Sequence, residues 1–427
     1  MSVIKRLSAL EILDSRGRPT IQATCELASE AQGTASVPSG ASTGAAEAHE
    51  LRDGDPKRYR GLGCRKAVAN INGEMQLALR GQLFGRQQEL DRALVVLDGT
   101  ANKARLGANA ILAVSLAFAR AQAVERGVPL YQHFADSLSL PLRSLPRLTV
   151  NLFSGGKHAG GQIPIQDVLI VPVKAESIDE SLATAFAVYQ AAVDLIGEKY
   201  DARALTADEG GLAPPFSSVE AMLDDALLAI QHAGLRPGED VALAIDVAAS
   251  HFYDGEAYHP GSRALSSEEM IEQLLAWLKH YPIVSLEDGL AEDDWMAWST
   301  LRQRVGGQAL VLGDDLLCTN IERIRPAIET KAATALLLKV NQIGTLTEAA
   351  EAYHLARSAD WRVTISARSG ETEDAWLADL AVGWGGDQIK IGSITQSERL
   401  AKYNRLLAIE AESGLPLISY AESFDRG

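Results

Sequence analysis

Six charged residues close short apolar runs in the second half of the chain. Asp246 follows VALAI, Glu287 follows IVSL, Asp314 follows ALVLG, Lys339 follows ALLL, Arg368 comes just after RVTIS, and Lys390 follows DQI. Three carboxylates brought together repel unless a cation sits among them. Oxygen ligands without His or Cys favour a hard ion such as Mg²⁺. A single Asp at such a junction serves as often to cap the following helix. Three acids in consecutive units, with Glu287 a poor cap, point instead to a metal site at Asp246, Glu287 and Asp314.

The cations suit the other half of such chemistry. A Lys at the end of ALLL is awkward as a structural residue, because a buried ammonium must be paired or lose its proton. Desolvation and neighbouring cations would lower the pKa of Lys339, as a general base requires. Arg368 and Ser369, in ARSGETED, offer a planar fork and a hydroxyl to a phosphate; alone they would also fit a surface salt bridge. Lys390 suits a carboxylate or a phosphate oxygen. Glu209, in DEGG, can act as a general acid if its surroundings raise its pKa, although an ordinary acidic turn has the same spacing. His158 lies among glycines in SGGKHAGG and could close over a ligand. Ser42 lies in SGASTG, a stretch that lacks the GK[ST] ending of a phosphate-binding P-loop. Its hydroxyls could meet a metal or an anion on closure.

These residues need elements that gather them. Apolar runs of four or five residues alternating with helical patterns predict parallel strands joined by helices. Six or more such units suit a closed (β/α) barrel, whose active site lies at the C-terminal ends of the strands. The first 135 residues have a different texture: two strands within residues 3–27, a Gly/Ser-rich loop over 33–44, and helical patterns from Cys64 to Gly127. Pro141 and Pro146 flank a linker.

Composition narrows the class. The chain has 427 residues, 47% of them apolar, so it folds into a globular core. Its net charge of −16 argues against nucleic acid and anionic membranes as default partners. The three cysteines, Cys25, Cys64 and Cys318, form neither a disulfide framework nor a zinc motif, which fits a reduced, cytoplasmic setting. The longest apolar stretch, Leu106 to Ala119, is shorter than the roughly 20 residues of a membrane span and reads as a buried helix.

In order along the chain, the motifs DSRGRPT, SGASTG, LGANAILAVSLAFARA, DEGG, YPIVSLEDG, GDDL, LLLKVNQIGTLTE, RSGETED and QIKIG resemble those of the enolase family nearly end to end. The resemblance implies an α/β fold: a small N-terminal α+β domain over residues 1–135 and a C-terminal (β/α)8-type barrel over 136–427. That barrel begins with two strands and two helices. It implies reversible dehydration of 2-phosphoglycerate to phosphoenolpyruvate with two Mg²⁺ ions per site. Asp246, Glu287 and Asp314 would hold the first ion, and Ser42 would meet the second. Lys339 would take the C2 proton and Glu209 would protonate the leaving hydroxyl. Arg368 and Ser369 would bind phosphate, Lys390 the carboxylate end, and His158 would ride a closing loop. A homodimer or larger assembly is also implied.

The chain departs from the family pattern mainly near the leaving hydroxyl. Ala367 stands where the family has His, Asp167 where it has Glu, Ser154 for Asn, Ala207 for Gly and Ile391 for Thr. An Asp withdraws its carboxylate by about 1.5 Å relative to Glu. The enolisation half of the site therefore reads as intact and the water-expulsion half as altered. Two alternatives follow: a paralogue of specialised metabolism, such as carboxyphosphonoenolpyruvate synthase, or a scaffold or surface-binding protein with weak or no catalysis.

Overall fold

A computed structural model describes residues 1–40 and 44–424. The N-terminal part is a four-stranded sheet in the order β3-β2-β1-β4, formed by β1 (Ser2–Leu13), β2 (Pro19–Leu27), β3 (Gln32–Ser36) and β4 (Leu83–Phe84). Asp14 ties the β1–β2 turn, its Oδ1 accepting from the Arg16 and Arg18 amides at 2.9 Å each. The stretch expected to begin a loop at residue 33 is instead the edge strand β3. Its small residues serve close packing: a Cβ on Gly33 would lie 2.2 Å from the Ala117 carbonyl of the helix Ala108–Arg126. That helix is the buried one read from the sequence, with fifteen of its residues buried. Among the described residues no helix is long and apolar enough to cross a membrane.

After an irregular link come eight strands: β5 (Arg147–Ser154), β6 (Asp167–Pro172), β7 (Val241–Asp246), β8 (Ile283–Glu287), β9 (Leu310–Gly313), β10 (Ala335–Leu338), β11 (Arg362–Ser366) and β12 (Gln388–Gly392). They close into a barrel in which β6 runs antiparallel to both neighbours and all other pairs are parallel. The helices Ile178–Tyr200 and Val219–His232 both precede β7, so the barrel does begin with two strands and two helices.

Alternation along these strands sorts the site from the core. Leu169 and Val171, Ala242 and Ala244, Leu310 and Leu312, and Ala335 and Leu337 fill the barrel interior. Two-residue steps from them lead to Asp167, Asp246, Asp314 and Lys339, so one inward stripe per strand is apolar below and charged above. On β8 an irregularity in its pairing with β7 restores the phase that turns Glu287 inward as well. The lower end is plugged by Phe424, 4% exposed, from the terminal helix Tyr420–Phe424. Phe424→Ala should lower unfolding stability by about 3–5 kcal/mol, measured in denaturant, because it leaves a cavity against the barrel-interior side chains that the ring now covers.

The small domain packs over the upper rim. Ser39 and Gly370 exchange backbone hydrogen bonds at 2.8 and 2.9 Å, and the Ser15 amide donates to the Glu371 carbonyl at 2.8 Å. A Cβ on Gly370 would fall 2.2 Å from an Arg16 nitrogen, so glycine is what permits this approach.

Candidate active site

Asp246 and Glu287 end adjacent parallel strands and face each other in register. Lys390 lies between them, its Nζ donating to Asp246 Oδ2 at 2.9 Å and to the Glu287 carboxylate at 2.8 and 2.7 Å. All three are nearly inaccessible. Burial opposes charge on Lys390, but Asp246 and Glu287 outweigh it and hold the ammonium well above its ordinary pKa. Asp314 carries Lys339 on Oδ2, and its Oδ1 accepts from Gln342 Nε2 at 2.8 Å. Asp288, in the left-handed region at φ 41°, accepts from the Asp314 and Asp315 amides at 3.0 and 2.7 Å and so aims the loop that bears Asp314.

Lys339 differs from the expectation of a depressed pKa. Burial lowers it and Arg368 and Lys390 lower it further, but Asp314 and Glu287 raise it more, and the net shift is upward. Arg368, 4% exposed, is gripped by Glu47 from the small domain, which accepts from both terminal nitrogens at 3.1 Å, and by Asn341 Oδ1 at 3.0 Å. Ser369 Oγ accepts from Arg16 at 3.2 Å. Arg399 fixes the backbone here, donating to the carbonyls of Arg368 at 2.7 Å and Ser369 at 2.6 Å. Ser42 lies outside the described residues.

At the far side of the rim, His158 lies between Asp167 and Glu209. Its Nδ1 is 3.1 Å from Asp167 Oδ2 and its Nε2 is 3.9 Å from Glu209 Oε1. Burial disfavours an imidazolium, but the two carboxylates raise His158 to about 9. Glu209 departs from the expected upward shift. Burial does raise it, yet His158, Arg399, Lys390 and Lys339 together bring it below its ordinary value. Gln166 Nε2 links this side to the acids, donating to Asp246 Oδ2 at 3.1 Å. The Ala367 amide donates to the Lys390 carbonyl at 2.8 Å, so residue 367 stands beside the same rim with only a methyl group.

The rim thus brings His158, Asp167, Glu209, Asp246, Glu287, Asp314, Lys339, Lys390 and the Arg368–Ser369 pair to one end of the barrel. The trio Asp246, Glu287 and Asp314 is not drawn to a single point. Ammonium groups separate them, and the tightest described clusters of potential ligands are His158, Asp167 and Glu209, and Asp288, Asp314 and Asp315, each within 4.8 Å. The donor set fits a divalent ion nonetheless. All three are buried oxygen donors on consecutive strand ends, and the cations that now neutralise them sit on long, adjustable side chains.

Sequence reasoning missed Glu47, Arg16, Asn341, Gln342 and Gln166. Arg16 and Glu47 lay within or beside the motifs DSRGRPT and SGASTG, but their partners are more than 300 residues away.

Comparison with known proteins agrees with this architecture. The family model described as Enolase, N-terminal domain matches residues 4–134, and Enolase, C-terminal TIM barrel domain matches residues 142–423. Enolase 1 of Methylococcus capsulatus is 47% identical over 414 residues, covering 96% of this chain and 97% of that relative. Both halves match in their proper order, and one relative is similar across nearly the whole length; the chain belongs to the enolase family and is an enzyme of its hydro-lyase class.

Proposed function

We propose that the protein catalyses the reversible, Mg²⁺-dependent dehydration of 2-phosphoglycerate to phosphoenolpyruvate. The observation that carries this reading is the buried rim where Asp246, Glu287 and Asp314 meet Lys339, Lys390 and Arg368. Removing the C2 proton from a carboxylate substrate builds a second negative charge on that carboxylate. Mg²⁺ held by the three acids, with a second ion at Ser42, would supply the positive charge that stabilises it.

The side chains divide the remaining work. Arg368 and Ser369 bind the phosphate and orient C2 toward Lys339. Lys390 holds the carboxylate end. With Asp314 engaged by a divalent ion, Lys339 would lose that carboxylate, leaving burial, Arg368 and Lys390 to favour the neutral amine, which accepts the C2 proton at Nζ. Glu209, itself ionised, takes a proton from the charged His158 beside it and delivers it to the C3 hydroxyl as water departs. Asp167 and His158 support that end of the site, where Ala367 contributes no acid or base.

The test is phosphoenolpyruvate absorbance from 2-phosphoglycerate and Mg²⁺, paired with loss of the C2 proton signal in D₂O. Both are expected. Absence of both at high enzyme concentration would sink the assignment. Exchange without dehydration would favour a paralogue acting on a different leaving group, the reading that Ala367 supports. A reduced cytoplasm goes with this function and is supported by three free, buried cysteines. An assembly of two or more copies is supported by Leu10 and Leu13, each 52% exposed on β1.

A further inference from the structure

The end of β5 is irregular. Asn151 pairs with Leu169, Phe153 with Val168 and Ser154 with Asp167, so Leu152 is an extra residue on β5. Asn151 and Ser154, three positions apart, would face opposite sides of a regular strand. The bulge turns them to the same side. Both then reach one atom: Asn151 Nδ2 donates to Asp167 Oδ1 at 2.7 Å and Ser154 Oγ donates to it at 2.8 Å. The other carboxylate oxygen is left to His158 Nδ1, 3.1 Å away. Asn151, Ser154 and Asp167 are completely buried.

The same stretch of β5 places Glu209. The Ser154 amide donates to the Leu212 carbonyl at 2.9 Å, and the Leu212 amide to the Leu152 carbonyl at 2.8 Å. The Asp208–Gly211 turn is thereby laid on the strand end. A Cβ on Gly211 would lie 2.5 Å from Ser154 Oγ and 2.7 Å from Asn151 Oδ1, so only glycine allows this contact.

We infer that Ser154 is a positioning residue: its hydroxyl fixes the Asp167 carboxylate, which in turn holds the His158 ring with Nε2 toward Glu209. The inference rests on the reading of Glu209 as the acid for the departing hydroxyl. The chain departs from the enolase pattern at both ends of the Ser154–Asp167 bond, and the bond makes the two changes one adjustment. The carboxylate, shorter by a methylene, is held back against the barrel wall by a shorter donor. With Ala367 beside the site, this Asp167–His158–Glu209 line is what remains to manage protons at the hydroxyl end.

The test uses the full chain with Mg²⁺ and 2-phosphoglycerate. Ser154→Ala is expected to slow dehydration roughly tenfold, with KM and C2 proton exchange within about twofold of the parent. Asp167→Asn is expected to act in the same direction. Because Ser154 acts only through the Asp167 carboxylate, whose contact with His158 the Asn already disrupts, the double variant should be no slower than Asp167→Asn alone. In the free protein labelled with ¹⁵N-histidine, the His158 Nδ1 proton should give a resonance that moves in Ser154→Ala and is lost or strongly shifted in Asp167→Asn. Equal loss of exchange and dehydration, multiplying effects of the two substitutions, or an unmoved His158 resonance would each overturn the inference. A parent protein that shows neither exchange nor dehydration would overturn the proposed function, and the resonance would then decide this inference alone.

Discussion

Lys339→Ala is expected to abolish C2 proton exchange and phosphoenolpyruvate formation together, by a factor of about 10²–10⁴. Lys339 follows the last residue of β10 on its inward stripe, two steps above Leu337, and Asp314 holds its ammonium in the site. Alanine removes the only group assigned to the C2 proton while leaving the phosphate and carboxylate contacts in place. Binding of substrate should therefore survive, and calorimetry with Mg²⁺ should still show heat, since Lys339 is not among the metal ligands. The two rates should fall in parallel because dehydration cannot outrun the proton transfer that precedes it. This pattern separates Lys339 from Ser154, whose loss is expected to leave exchange standing. Dehydration retained within about tenfold would place the base elsewhere.

Much of this site was readable because barrel strands are continuous apolar runs, against which a charge at the strand end stands out. Asp246, Glu287, Asp314, Lys339 and Lys390 were visible in that way, and the rule that such strand ends share one rim gathers them from the sequence alone. The sign of the shifts was not readable. Glu209 lies below its ordinary pKa because of His158, Arg399, Lys390 and Lys339, which come from other parts of the chain. Lys339 lies above its own because Asp314 pairs with it. Burial alone, which the sequence does suggest, predicts the opposite direction in both cases. Small residues misled in a different way: Gly33 and Ala35 resembled a loop but form a strand pressed against a helix. The bulge at Leu152 left no mark, since every residue of β5 is buried whichever way it faces. The resemblance to the enolase family reached Asp167 and Ser154 as departures, but only the fold joined them by a hydrogen bond.

Lys390→Met is expected to destabilise the metal-free protein and to enlarge its stabilisation by Mg²⁺. In the structure Lys390 is the cation shared by Asp246 and Glu287, which are 2% and 3% exposed. A methionine of similar length leaves two buried carboxylates facing each other without a countercharge. Breaking a buried ion pair from one side typically costs about 3–5 kcal/mol, because the remaining charge stays desolvated. Thermal unfolding without metal should therefore begin at a clearly lower temperature than in the parent. A divalent ion held by the same carboxylates neutralises what the lysine neutralised, and an ion that binds only the folded state stabilises it by mass action. Titrating Mg²⁺ should consequently raise the unfolding temperature more in the variant than in the parent, while turnover stays low because the grip on the substrate carboxylate is gone. This readout needs no catalysis, so it examines the metal assignment independently of the reaction. Equal Mg²⁺ shifts in the two proteins would mean that the ion binds away from Asp246 and Glu287, and the neighbouring Asp288–Asp314–Asp315 group would then be the place to look.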